Sequence, residues 1–199
     1  MDRIVKERIA ILERRTKETS INLNINLDGK GKSDLKTNIP FLDHLLNSFA
    51  RFSNIDIQLI AKSEDMIKHH LIEDIGIVMG KAINIALGNR EKIERFGYSL
   101  IPMDESLSKV AIDLIIRPYC YMDLKLERES IEDISKEDII HFVQSFVSNI
   151  NCCTHIIVEY GANDHHKIEA TIKAFAIALK NAMKMDSSIE DKPSTKGMM

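Results

Sequence analysis

Two copies of the pattern H-H-x-x-E contain four of the seven histidines of the chain. They are His69, His70 and Glu73 in the first copy and His165, His166 and Glu169 in the second. Residues four apart share one face of a helix, so the first histidine and the glutamate of each copy can bind the same ion. The second histidine is rotated by about 100° and points elsewhere. The doubled pattern therefore suggests two metal ions, each of which draws on both copies.

Two further histidines fit this scheme. His44 lies 25 residues before His69, and His141 lies 24 residues before His165. With them, six histidines and two glutamates divide evenly into two sites of three histidines and one glutamate. Mixed imidazole and carboxylate ligation suits manganese, iron or zinc, and open coordination positions would favour catalysis. We do not expect His155, which lies within a predicted strand, to be a ligand.

The hydrophobic pattern predicts the elements that position these residues, and it does so twice. In the first half we expect strands at residues 8–16, 20–27 and 32–38, a helix at 40–49, a strand at 55–60 and a helix at 69–87. In the second half we expect strands at residues 96–103, 107–116 and 119–126, a polar link at 131–138, a helix at 139–150, a strand at 154–160 and a helix at 165–185. The strand at 32–38 is predicted to return along its predecessor as a hairpin.

The predicted fold class is therefore α+β, with internal duplication of a β-β-β-α-β-α half. Each half is expected to form a four-stranded sheet with its helices packed on one face. Residues 1–90 would form the first half, and residues 91–199 the second half with a C-terminal substrate-binding tail. The two halves would together make one compact domain.

Composition argues against several classes of protein. The net charge is −3 with the two signs interspersed, so nucleic-acid binding is not expected. No apolar run approaches the roughly 18 residues that span a bilayer, so no membrane association is expected. Three cysteines, Cys120, Cys152 and Cys153, are too few for a disulfide framework and favour a reducing, cytoplasmic compartment.

A set of cations suggests a small phosphorylated substrate. Its members are Arg95, Arg117, Lys173 and Lys196, the last within the segment P-S-T-K-G. Arg117 precedes a proline at a strand break, where a guanidinium could bind phosphate with two parallel hydrogen bonds. Ser194, Thr195 and nearby backbone N–H groups could bind the same anion. Asp164, directly before the second His-His pair, is a candidate acceptor for the outer N–H of a ligand histidine.

These motifs also carry a resemblance to a known family. The segments IPFLDHLL, HHLIEDIGIVMGKAI, RFGYSLIPMDESL, NDHHKIEATIKAFAIAL and PSTKG resemble imidazoleglycerol-phosphate dehydratases along essentially the whole chain. One difference is Lys68, which stands where family members usually carry an acidic residue directly before the first His-His pair.

The resemblance implies a function and a set of site residues. It implies dehydration of D-erythro-imidazole-glycerol phosphate to imidazole-acetol phosphate in histidine biosynthesis, with two manganese ions (Mn²⁺) per active site. It also implies self-association into a 24-subunit shell built from trimers, with active sites at subunit interfaces. One metal would take His44, His70, His165 and Glu169, and the other His69, Glu73, His141 and His166. The substrate-contacting positions would be Glu18, Arg95, Arg117, Lys173, Ser194, Thr195 and Lys196.

The mechanism implied is an elimination without a redox step. A metal-bound imidazolate would lose the hydroxyl to give a diazafulvene-like intermediate and then an enol, with Glu18 as the candidate for moving the proton. Chemistry alone leaves two alternatives open. One is a metal-storing or structural assembly, and the other is a phosphate-ester hydrolase with a two-metal centre.

Overall fold

The computed structural model describes residues 8–188 and 193–194 of the chain. The first half contains β1 (Ile9–Arg15), β2 (Thr19–Asn26), β3 (Ser33–Lys36), α1 (Pro40–Ser53), β4 (Asp56–Ser63) and α2 (Lys68–Leu87). The second half contains β5 (Phe96–Met103), β6 (Ser106–Asp113), β7 (Tyr119–Asp123), β8 (Ser130–Ile131), β9 (Ile134–Ser135), α3 (Lys136–Ile150), β10 (Cys153–Tyr160) and α4 (Asp164–Ala182). The predicted α+β class is confirmed. None of the helices described is long and apolar enough to cross a membrane.

The two large sheets have the same strand order, β1-β2-β4-β3 in the first half and β5-β6-β10-β7 in the second. In each, the third strand of the half (β3 or β7) lies at the sheet edge and runs parallel to its neighbour (β4 or β10). This shared topology supports internal duplication. The boundary between residues 90 and 91 stays a prediction, and the buried Arg90 next to it donates hydrogen bonds to backbone oxygens of the second half, those of Leu114, Ile150 and Asn151.

The predicted hairpin at residues 32–38 is wrong, because β3 pairs with β4 and not with β2. The turn before β3 explains the difference. One carboxylate oxygen of Asp56, at the start of β4, accepts the backbone N–H groups of Lys30 and Lys32, each at 2.8 Å. These bonds fasten the turn to β4, so the chain continues along β4.

The segment predicted as a polar link also contains regular structure. β8 and β9 form a small antiparallel hairpin whose Ile131 and Ile134 are buried. Ser135 then caps α3 by accepting the backbone N–H of Asp138. Strands of two residues are too short to give an alternating pattern, which is why the sequence did not predict them.

The helices of the two halves pack on each other and share one core. Residues of β2 alternate between a buried face and a wetter one, and α2 packs on this sheet while α4 packs on the second. α1 packs against α4, and α2 against α3. Rings from three helices meet in the core, since the centroids of Phe49 and Phe146 are 5.4 Å apart and those of Phe146 and Phe175 are 5.5 Å apart.

Two glycines allow α2 and α3 to approach closely. A Cβ atom at Gly76 would lie 2.8 Å from the Phe142 carbonyl oxygen, and one at Gly80 would lie 2.4 Å from that of Phe146. A larger residue at either position would push the helices apart. The helix pairing therefore places His44 of α1 beside α4, and His141 of α3 beside α2.

Candidate active site and metal centre

Three predicted ligands meet where α1 packs against α4. The Nε2 atoms of His44 and His165 each lie 3.5 Å from the same carboxylate oxygen of Glu169, and one donor atom from each of the three residues lies within 4.8 Å of the other two. Two imidazoles and a carboxylate are a donor set that suits a divalent transition metal such as Mn²⁺. The residues present therefore fit a metal ion.

Lys173 adjoins this group from the next turn of α4. Its Nζ lies 2.8 Å from the other carboxylate oxygen of Glu169. Burial alone would raise the pKa of Glu169, but the hydrogen bonds and charges of Lys173 and His44 outweigh it and lower that pKa. Glu169 is therefore kept ionised, the state in which a carboxylate binds metal.

The second predicted set is only partly assembled within one chain. The ring centroids of His69 and His141 are 5.1 Å apart, and Glu73 follows His69 by one turn of α2. Unlike the first set, these three residues do not form a compact donor group within the described residues.

The second histidine of each pair lies away from the first, as the helical rotation predicts. The rings of His69 and His70 are 6.0 Å apart, as are those of His165 and His166. His70 lies instead beside Glu18 and Asp65, with one donor atom of each of these three residues within 4.8 Å of the other two. Neither four-ligand set is thus brought together completely by the described part of one chain.

Each of the four paired histidines, those of the two His-His pairs, has a carboxylate within hydrogen-bond distance of its Nδ1 atom. The distances are 2.6 Å from His69 to Asp138, 2.6 Å from His70 to Asp65, 3.2 Å from His165 to Glu132 and 2.7 Å from His166 to Glu105. Sequence reasoning missed all four acids, because they lie at unrelated distances along the chain and no spacing rule connects them to the histidines.

Hydrogen bonds shift the pKa values of both partners in two of these pairs, Asp65 with His70 and Glu105 with His166. The backbone N–H of Ile67, followed by the His70 ring, holds the pKa of Asp65 at about 2. The His166 ring, followed by a backbone N–H, lowers the pKa of Glu105 to about 2. In turn, the pKa values of His70 and His166 are raised by their carboxylate partners.

The predicted role of Asp164 is wrong. Its carboxylate is buried and accepts the backbone N–H groups of Glu127 and Arg128, at 2.9 and 2.7 Å, and the Nζ of the buried Lys167 at 2.9 Å. Asp164 therefore fixes the loop after β7 beneath the start of α4, and it does not accept from a histidine.

The cationic residues divide between two places. Lys173 is with Glu169, but Arg95 lies near the other end of α4, where its backbone N–H bonds to the Ala182 carbonyl at 2.9 Å. The Arg95 guanidinium donates hydrogen bonds to both carboxylate oxygens of Asp113, at 2.7 and 3.0 Å, and to the Pro193 carbonyl at 2.7 Å. Ser194 therefore follows a residue bound to Arg95, while Thr195 and Lys196 lie outside the described residues.

Arg117 is exposed on the loop after β6. That loop begins beside Arg95, because the Leu114 N–H bonds to the Arg95 carbonyl at 3.0 Å. The 19 residues of α4 span about 28 Å at 1.5 Å per residue. Within one chain, the cations at the far end of α4 are thus well separated from the histidines at its start. The ring of His155 is tilted against those of Tyr119 and Tyr121 of β7, with centroids 5.6 and 5.9 Å away, and His155 belongs to neither donor group within the described residues.

Comparison with known proteins gives the family. The family model for imidazoleglycerol-phosphate dehydratase matches residues 37–179. The chain belongs to the imidazoleglycerol-phosphate dehydratase family. The matched span includes all eight predicted metal ligands and Lys173, whereas Glu18 and the tail lie outside it.

Curated imidazoleglycerol-phosphate dehydratases match along nearly the whole chain. That of Methanosarcina mazei is 46% identical over 193 residues, covering 96% of this chain and all of the relative. That of Chloroherpeton thalassium is 43% identical, covering 97% of this chain and 99% of the relative. The expected activity, a dehydratase of histidine biosynthesis, is confirmed at the level of the family.

Solved structures of imidazoleglycerol-phosphate dehydratases share the fold. The enzyme from Staphylococcus aureus has a TM-score of 0.81 at 32% identity, covering 89% of this chain and 99% of that one. The Pyrococcus furiosus enzyme, solved in complex with (S)-C348, has a TM-score of 0.81 at 34% identity, covering 94% of this chain and all of that one.

Proposed function

We propose that the chain is a metal-dependent dehydratase that converts D-erythro-imidazole-glycerol phosphate to imidazole-acetol phosphate at sites formed between copies of the chain. Each site would hold two Mn²⁺ ions. The proposed ligands are His44, His70, His165 and Glu169 for one ion and His69, Glu73, His141 and His166 for the other.

The incomplete ligand sets carry this proposal. His44, His165 and Glu169 converge in one chain, while His70, the fourth proposed ligand, groups with Glu18 and Asp65. A second copy that supplies its His70 would complete the set and would bring its own Glu18 to the metal group. Such mutual completion favours a closed, symmetric assembly, and we propose the 24-subunit shell built from trimers.

The separation of the cations supports the same arrangement. Arg95 and Pro193 lie at the far end of α4, too distant to hold the phosphate of a substrate whose ring lies at His165. We propose that Arg95, Arg117, Ser194, Thr195 and Lys196 of one copy bind the phosphate of a substrate whose ring faces the histidines of another. Lys173 would contact the substrate from the metal side.

The reaction removes water from two adjacent carbons of the substrate, and the resulting enol becomes the ketone. Bound metal ions would supply Lewis acidity that stabilises negative charge on the imidazole ring. Glu18 is exposed beside His70, so its carboxylate can accept the proton from the substrate carbon. Asp113 holds Arg95 through two hydrogen bonds and would fix its direction toward the phosphate. The three free thiols are compatible with the reducing cytoplasm, where we place the enzyme.

The test is to incubate the Mn²⁺-loaded protein with imidazole-glycerol phosphate and to measure ketone and free phosphate. We expect ketone without phosphate release, and loss of ketone formation after chelation. Phosphate release would instead support a two-metal hydrolase, and an unchanged substrate would support a storage or structural assembly. Either result would overturn the proposal.

A further inference from the structure

We propose that four carboxylates outside both H-H-x-x-E copies are positioning residues, each holding the Nδ1 atom of one paired histidine so that its Nε2 atom faces the metal. The pairs are Asp138 with His69, Asp65 with His70, Glu132 with His165 and Glu105 with His166, at 2.6 to 3.2 Å. This inference rests on the proposed metal-dependent function.

The chemistry of the contact fixes the tautomer. An ionised carboxylate can only accept a hydrogen bond, so the Nδ1 atom that faces it must carry the proton. In the neutral imidazole the lone pair is then on Nε2. Every paired histidine is therefore prepared to bind metal through the same nitrogen, and its ring cannot rotate without losing a charge-assisted hydrogen bond.

The contact distinguishes the paired histidines from the rest. All seven histidines lie within residues 8–188, and in that part of the chain His44, His141 and His155 have no carboxylate bonded to Nδ1. In His165 the two nitrogens have different surroundings: Nδ1 meets Glu132 at 3.2 Å, and Nε2 lies 3.5 Å from the proposed ligand Glu169. The positioning acid and the metal group thus contact opposite sides of the ring.

Asp65 and Glu105 are held in the same way although they occupy unrelated positions. One oxygen of Asp65 accepts the Ile67 N–H at 3.0 Å and the Ser63 hydroxyl at 2.9 Å, while the other contacts His70. One oxygen of Glu105 accepts the Asn163 N–H at 2.8 Å, while the other contacts His166. In both cases the backbone N–H of the residue just before the helix holds the carboxylate in place. The carboxylate in turn holds the histidine.

The two acids reach equivalent histidines from different elements. Asp65 precedes α2 itself, whereas Glu105 lies in the turn between β5 and β6. Duplication of a half therefore does not account for the arrangement. An acid at position 68 is not needed as an acceptor in the first copy, because Asp138 and Asp65 already contact the Nδ1 atoms of His69 and His70.

The sharpest test replaces Asp65 with asparagine. The amide oxygen can keep the bonds from Ile67 and Ser63, so the amide NH₂ then points at Nδ1 of His70. A donor there favours the tautomer with its proton on Nε2, which blocks the metal. Glu64→Gln is the matched control, because it removes the same charge from the neighbouring residue. The Glu64 side chain pairs with Lys62 and not with a histidine.

The protein is stripped of metal with a chelator and the assembly is isolated again by size-exclusion chromatography. Mn²⁺ binding to this assembly is then measured, followed by turnover at increasing Mn²⁺ concentration. For Asp65→Asn we expect the half-saturating Mn²⁺ concentration to rise roughly 10- to 100-fold, with turnover recovering at high Mn²⁺ and the metal-free protein melting like wild type. Glu105→Gln should behave alike and replaces Asp65→Asn if that variant does not fold. Glu64→Gln should match wild type.

Two failures can be told apart. If wild type binds Mn²⁺ and forms ketone but Asp65→Asn has the half-saturating concentration of Glu64→Gln, the positioning role is refuted and the proposed function stands. If wild type itself binds no Mn²⁺, the proposed function fails and this inference fails with it.

Discussion

Two variants that are each inactive should restore activity to one another if the site is shared between copies. Glu169→Gln removes the carboxylate between His44 and His165, and Arg117→Ala removes an exposed cation at the other end of the second half. The length of α4, about 28 Å, separates these two ends in one chain. A substrate with one ring, three chain carbons and one phosphate cannot span that distance.

The expected magnitude follows from random mixing. Consider a site that takes its glutamate from one copy and its arginine from another. It is intact only if the first copy is the Arg117→Ala chain and the second copy is the Glu169→Gln chain. In an equal mixture of a symmetric assembly this holds for about one quarter of the sites. A site built within one chain would be intact in none, because every chain carries one of the two defects.

The assay is ketone formation by mixed assemblies. The two chains are co-expressed with different tags, purified through both, and compared with each pure variant. Recovery of about a quarter of wild-type turnover is expected. Turnover no higher than the mean of the two pure variants would refute the shared site. A chain that carries both substitutions, mixed with wild type, measures how freely the copies exchange.

Three further predictions concern Glu18, Arg90 and the cysteines. Glu18→Ala should keep Mn²⁺ binding but lose most turnover, and unchanged turnover would remove Glu18 from the mechanism. Arg90→Met should lower the free energy of unfolding of the chelated protein by about 3 kcal/mol in urea titration, because buried carbonyl oxygens lose their charged donor. A loss below about 1 kcal/mol would contradict this. Arg15→Met, at an exposed arginine, serves as the control. Burial raises the pKa values of Cys120 and Cys152 to about 11, so a thiol reagent at pH 8 should label at most one cysteine per folded chain, and labelling of two or three would show that the thiols are accessible.

Much of the fold could be predicted because its signals are local. The alternation of β2 and the helical spacing of α1 and α2 come from neighbouring residues, and the structure confirms each element to within a few residues. The rotation between His69 and His70 likewise follows from helix geometry alone. Duplication was visible because the same order of local signals occurs twice.

Pairing between distant segments could not be predicted in this way. The pattern of β3 is the same whether it pairs with β2 or β4, and two backbone bonds to Asp56 decide between them. Asp164 stands next to His165 in the chain, yet its carboxylate is buried toward Lys167 and two loop N–H groups. Adjacency in sequence was therefore a poor guide to the partner of a side chain.

The amino-acid sequence was enough to select the candidate ligands, to assign each to a helix and to predict the helix face on which each lies, because a helix repeats every 3.6 residues whatever surrounds it. Which acid contacts which histidine, and which charges lie at each end of α4, depends on how distant elements pack together. Asp138 reaches His69 across 69 residues of chain and Glu105 reaches His166 across 61. Those contacts exist because α2 packs on α3 and because the β5–β6 turn reaches the start of α4, and no local pattern records either packing.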